Sequence, residues 1–201
     1  VGSLDTIPYE GGHVGRRDII WRLRELAQFS EYFEKAEEIV YLFAREEVSS
    51  AYSNTATSYW KNWFRPYFDY TTYPYEARIG LLKNRLSKGD ETDKRLVALA
   101  LKNLFPHAGD IIPSNRVGGR LAPPEVHFIN RRNIQLAVTE VPGILAALLS
   151  DNDASLVEQV ATNIVNACFS WLEIGALEPY VTMVLSPSFP VESRRQLIVQ
   201  A

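Results

Sequence analysis

Apolar residues recur at helical spacing in one segment after another of this chain, and each segment is bounded by a capping residue, a proline or a glycine. That punctuated period constrains the fold more than any other feature. In RRDIIWRLRELAQF, Ile19, Ile20, Leu23, Leu26 and Ala27 fall at helical spacing with Arg and Glu between them. Ser30 offers an N-cap to EYFEKAEEIVYLFAREEV, in which Phe33, Ala36, Ile39, Val40 and Phe43 are expected to share the inner face. Asn54 or Thr55 can cap a third helix that stops near Arg65, because Pro66 disfavours helical geometry in the residue before it. Pro74 suits the first turn of PYEARIGLLKNRLSK, with Ala77, Leu81 and Leu82 inward and Gly89 at its end. Asp90 or Thr92 can cap a fifth helix carrying Leu96, Val97, Leu99, Ala100, Leu104 and Phe105.

The period then breaks. Residues 106–129, PHAGDIIPSNRVGGRLAPPEVHFI, are rich in proline and glycine and read as a long connector. Helical spacing resumes in NRRNIQLAVTEVPGILAALLSD, where Pro142 is expected to kink the helix or split it. DASLVEQVATNIVNACFSWLEIG follows as one helix, capped by Asp153 and stopped by Gly175, and EPYVTMVL and VESRRQLIVQA close the chain. No segment shows sustained period-two alternation, so the class is all-α. Helix starts fall about twenty residues apart, so a pair recurs about every forty, the range of HEAT-like repeats. Hairpins of this kind cannot bury their apolar faces alone and build a continuous core by stacking.

Several phrases carry a resemblance: GGHVGRRDIIWRLRELAQFSEYFEKAEEIVYLFAREE, YSNTATSYWKNWF, PYEARIGLLKNRLSKGDETDKRLVALALKNLF and RLAPPEV. They resemble the HEAT-like helical region of large bacterial multidomain proteins, where such a region can follow a nucleotide-binding signalling module or a defence-type effector. The resemblance covers about Gly11 to Gln200 and implies an α-solenoid, an α–α superhelix of about eight to ten helices, that binds or senses a partner. It implies no catalytic residues. The expected organisation is a lead-in at 1–13, a helical sub-block at 14–105, an irregular connector at 106–129 and a second sub-block at 130–201. Because the sequence opens on Val1 and closes in a helical pattern, the expectation is a segment of a longer protein.

Apolar residues at 46% and charged residues at 22% describe a folded domain, and a formal charge of −3 disfavours nucleic acid as a partner. No apolar run has the length of a membrane span, and a cytoplasmic location is expected. Cys168 is the only cysteine, so an internal disulfide is excluded, and its place beside Ile164, Val165 and Trp171 reads as an inert core thiol. His13, His107 and His127 lie too far apart in sequence to suggest a zinc site. GGHVGRRD at 11–18 lacks the spacing of a phosphate loop and reads as a lead-in. Glu37, Glu38, Glu46 and Glu47 interleave with Lys35 and Arg45, as a solvated helix face does. No catalytic constellation is present, so no enzyme activity, cofactor or metal is expected.

Two features are left as candidate contact surfaces. The stretch YSNTATSYWKNWFRPYFDYTTYPY at 52–75 is dense in aromatics, and Ala56, Tyr59, Trp60, Trp63 and Phe64 form a stripe that reads as core. Tyr67, Tyr70, Tyr73 and Tyr75 surround two prolines in an inter-helix loop and are candidates for contact with a protein partner. On the 106–129 connector, Arg116, Arg120 and His127 are candidates of the same kind, and Asp110, Asn115 and Glu125 accompany them. The leading expectation is a non-catalytic scaffold that binds a protein partner or other domains of the same chain. The alternative is a small helical ligand-binding or enzymatic domain with its pocket under 106–129. A nucleic-acid solenoid would need Arg16, Arg17, Arg22, Arg24, Arg131 and Arg132 on one face.

Overall fold

The computed structural model describes residues 6–9, 12–47, 55–66, 71–102, 116–117, 120–121 and 131–200. Ten helices carry the described fold: α1 (Arg16–Leu26), α2 (Ser30–Arg45), α3 (Ala56–Asn62), α4 (Tyr75–Lys88), α5 (Glu91–Lys102), α6 (Arg131–Leu149), α7 (Ala154–Asn166), α8 (Cys168–Glu173), α9 (Leu177–Leu185) and α10 (Val191–Gln200). The helical class is therefore as expected. Among the described residues, strand geometry is confined to two small antiparallel hairpins that the sequence pattern did not announce. In the first, β1 (Thr6–Tyr9) pairs with β2 (Gly12–Gly15) in the register Thr6↔Gly15 to Tyr9↔Gly12. In the second, β3 (Arg116–Val117) pairs with β4 (Arg120–Leu121) inside the segment read as an irregular connector. Strands of four and two residues are too short to show a period, and Pro8, Gly12 and Gly15 oppose strand propensity.

Local signals set most helix boundaries. Thr55 Oγ1 accepts the Ser58 amide at 3.1 Å and starts α3. Asp90 Oδ1 accepts the amides of Thr92 and Asp93, and Asp93 Oδ2 accepts that of Asp90, so α5 opens on reciprocal caps. Asp153 caps α7 through the amides of Ser155 and Leu156. Gly175 closes α8 at φ +75°, a conformation costly for any residue with a Cβ. Gly89 ends α4 for another reason: a Cβ there would stand 2.3 Å from both the Arg85 carbonyl oxygen and Asp93 Cβ.

Three boundaries depend on packing. Ser30 does not cap α2 with its side chain. Its amide instead donates to Thr72 Oγ1 at 2.9 Å, so a residue forty-two positions away supplies the cap. α6 continues through Pro142 without the split that was one of the two outcomes expected there. An interior proline costs roughly 3 kcal/mol. Burying Val141, Ile144, Leu145 and Leu148 around it returns about 1.5–3 kcal/mol for each side chain, which outweighs that cost. The helix expected over 154–174 is divided at Ala167 into α7 and α8. No sequence signal for that break is evident.

The inner face of α2 is also rotated from expectation. Ile39 is 41% exposed, and the face that packs is Phe33, Ala36, Glu37, Val40, Tyr41 and Ala44. Between helices, α2 packs on α1, α3 and α5, and α3 also packs on α5. Beyond them, α4 packs on α5 and α6, α5 on α7, α6 on α7 and α9, and α7 on α10.

Candidate functional site

The stripe Trp60, Trp63 and Phe64 is core. Trp60, Trp63 and Phe64 are at most 2% exposed, and Trp60 meets Phe64 at 4.7 Å and Tyr41 at 5.4 Å between ring centroids. Trp60 sits on α3, a helix of only seven residues and too short to be stable alone, and Trp63 and Phe64 follow directly after its end. Side chains from elsewhere hold both of its ends. The Glu47 carboxylate accepts the amides of Ala56 (2.6 Å) and Thr57 (2.9 Å) at the N-terminus. At the other end Arg78, 1% exposed, donates to the Trp63 carbonyl at 2.7 Å. An anion at the start and a cation at the end match the helix dipole.

Beneath α3 lies a polar chain through four helices. Glu37, Tyr41 and Arg45 repeat every four residues along α2, and all three point at neighbours. Glu37 accepts the Trp60 indole N–H at 2.7 Å and pairs with Arg85 of α4 at 3.0 Å. The Arg85 guanidinium lies 3.7 Å above the Tyr41 ring, and the Tyr41 hydroxyl donates to Asp93 of α5. Arg45 pairs with both Asp93 and Asp90. Burial raises the Glu37 pKa against the pull of Trp60 and Arg85, and burial with the Asp93 hydrogen bond pushes the Tyr41 phenol up to about 12. The expected solvated glutamate face is therefore corrected: Glu38 and Glu46 are exposed, but Glu37 is 1% exposed and Glu47 is a cap. The chemistry of this chain of contacts, in which each charged group meets a partner on another helix, is that of a brace.

The expected contact residues are scattered. Tyr75 is 3% exposed, with the Arg78 guanidinium 4.9 Å from its ring, so it belongs to the core and not to a contact surface. Tyr73 is half-buried, stacks on Phe33 at 4.6 Å and donates its hydroxyl to Glu34. Burial and Glu34 push its phenol up to about 12. It straps the loop to α2. Arg116 and Arg120 stand on the β3–β4 hairpin, at non-partner positions of its register. Tyr67, Tyr70 and His127 lie outside the described residues, as do His107, Asp110, Asn115 and Glu125. Cys168 is half-buried and packs against the core. No three potential ligands gather as a metal site among the described residues.

A groove of about 440 Å³ runs between α4 and α6, with Leu86, Gly143, Ile144 and Ala147 along it. The Lys83–Glu140 pair joins α4 to α6, and the Lys94–Asp151 pair (2.7 Å) joins α5 to the α6–α7 turn. The pocket of the alternative reading was expected under 106–129, of which only 116–117 and 120–121 are among the described residues. On α1, Arg17 and Arg24 share one side of the helix whereas Arg16 and Arg22 project elsewhere, so the four do not form one basic face.

The surface feature that sequence reasoning missed is α9. Its inner side buries Tyr180 and Met183, yet its outer side shows Leu177 (53% exposed), Val181 (41%) and Leu185 (68%) in one row. Phe169 and Leu172 on α8 and Val191 at the start of α10 are exposed as well. The signal was legible in EPYVTMVL, which is apolar nearly all round, as helices covered on every side are. Among the described residues no helix is long and apolar enough to cross a membrane. Comparison with family models, with curated proteins and with solved structures found no match.

Proposed function

We propose that this chain is a helical-repeat scaffold of the HEAT-like kind, without catalysis of its own, that holds a protein partner or another domain of its own chain against the α8–α10 face. The observation that carries the reading is the exposed row Leu177, Val181 and Leu185 on a helix whose other side is core. Contiguous exposed apolar surface of this kind marks an interaction site in proteins that stay soluble. The packing order supports it: α4 packs on α6 and α5 on α7, then α6 on α9 and α7 on α10, a succession that stacked hairpins would give. The partner is then a further amphipathic helix, whose apolar stripe continues the stacking.

A photo-crosslinking residue at position 181, in cells that make the native protein, tests the reading. The expected result is a covalent adduct with a polypeptide, lost when Leu185 becomes Glu. No adduct, an adduct indifferent to Leu185→Glu, or substrate turnover by the isolated chain would overturn it.

A further inference from the structure

Arg17, Trp21 and Arg24 fall at i, i+4 and i+7 on one side of α1. The Arg17 guanidinium sits 4.8 Å from the Trp21 ring, and the Trp21 indole N–H donates to the Tyr59 oxygen of α3 at 3.0 Å. The Arg24 guanidinium lies 5.3 Å from the Tyr59 ring. Two helices thus contribute one continuous surface in the order Arg, Trp, Tyr, Arg. Arg17 is exposed and Trp21 is 38% exposed, so the surface is open to solvent.

Its charge is not neutralised. Among the described residues, Arg16, Arg22, Arg45, Arg85, Arg95 and Arg195 each pair with a carboxylate, and neither Arg17 nor Arg24 does. In a chain of net charge −3, these two guanidiniums stand beside an exposed tryptophan and make a local positive surface. A guanidinium laid on an aromatic ring keeps its N–H edge free for a carboxylate. Trp, Tyr and Arg are also the residue types that carry most binding energy at protein interfaces.

We propose that this surface binds an extended acidic segment of a protein partner, with two carboxylates on Arg17 and Arg24 and an apolar side chain against Trp21. Seven residues of helical rise separate the arginines by about 10.5 Å along α1. Carboxylates three residues apart on an extended polyproline II segment, which has three residues per turn, lie on one side about 9 Å apart, which matches. The proposal is independent of the α9 face and stands or falls separately from it.

The test is binding of labelled acetyl-Ser-Glu-Phe-Leu-Glu-Ser-amide and of versions with the glutamates moved closer together or further apart. Controls are the same peptide with glutamines and a short oligothymidylate. The three-residue spacing is expected to bind best, and the glutamine peptide about tenfold more weakly. Arg17→Glu with Arg24→Glu should weaken binding by about the same factor and transfer preference to a lysine peptide. Arg17→Gln with Arg24→Gln makes the same comparison should the reversal disturb folding, and the indole N–H resonance of Trp21 should shift on binding. Equal binding of glutamate and glutamine peptides, indifference to both double substitutions, or tighter binding of oligothymidylate would overturn the proposal.

Discussion

The helices before residue 103 and those after residue 130 reach dense cores by different chemistry. The first group buries Phe33, Tyr41, Trp60, Trp63, Phe64 and Tyr75 together with the charged Glu37, Arg78 and Asp93. The second is mostly aliphatic, with Val141, Leu145, Leu148, Leu156, Val160 and Ile164 packed between α6 and α7 and, among the described residues, only Asn133, Ser170 and Ser193 as buried polar ones. Rings are wide and few, so they leave room for directional groups, and each buried charge accepts only a narrow set of neighbour positions. Aliphatic ridges are more tolerant: they pack in several related ways and can go on accepting another layer. The polar brace thus sets one arrangement of α2, α3, α4 and α5, whereas the aliphatic half ends in the uncovered row on α9.

Changing the brace should separate the two halves most clearly. Trp60→Ala removes the largest fully buried side chain of α3 and leaves Glu37 without its indole donor, so a loss of about 3–5 kcal/mol is expected in denaturant unfolding. If the loss were no larger than for an exposed residue, α3 would not be the keystone described.

A smaller effect sharpens the point. Glu37→Leu alone strands Arg85 and should cost about 3 kcal/mol, whereas Glu37→Leu with Arg85→Met should recover most of it. Full recovery accompanied by broadened amide spectra would mean that the pair selects one packing without adding stability. A double substitution as costly as the single one would mean that the pair stabilises the fold outright.

The smallest expected effect is a slope with pH. The folded Glu37 pKa is raised by burial, so the native state holds that proton more tightly than the unfolded chain does. Stability should therefore fall as pH rises from about 4.5 through the raised folded value, and Glu37→Gln should flatten that part of the profile. Asp90 and Asp151 act oppositely. Arg45 and Lys94 depress their pKa values, so their contribution is present above the usual carboxylate range and is lost in stronger acid. Unfolding midpoints measured across pH for both proteins separate the two limbs.

The helical class, nine of the ten helix starts and the caps at Thr55, Asp90 and Asp153 can be read from local sequence, because periodicity and capping act within a few residues. The core role of Trp60, Trp63 and Phe64 was legible for the same reason. The roles of Glu37, Glu47, Arg78 and Thr72 were not. Each serves a partner between nine and forty-eight residues away, and in sequence a buried, paired glutamate looks like any solvated one. Tertiary structure also decided that Tyr75 faces inward, that Pro142 leaves α6 intact and that α9 shows an apolar side to solvent. The physical reason is common to all of these. Local propensity is settled by a residue's own neighbours, but burial, charge pairing and the cost of a proline are settled by whatever the fold brings against them.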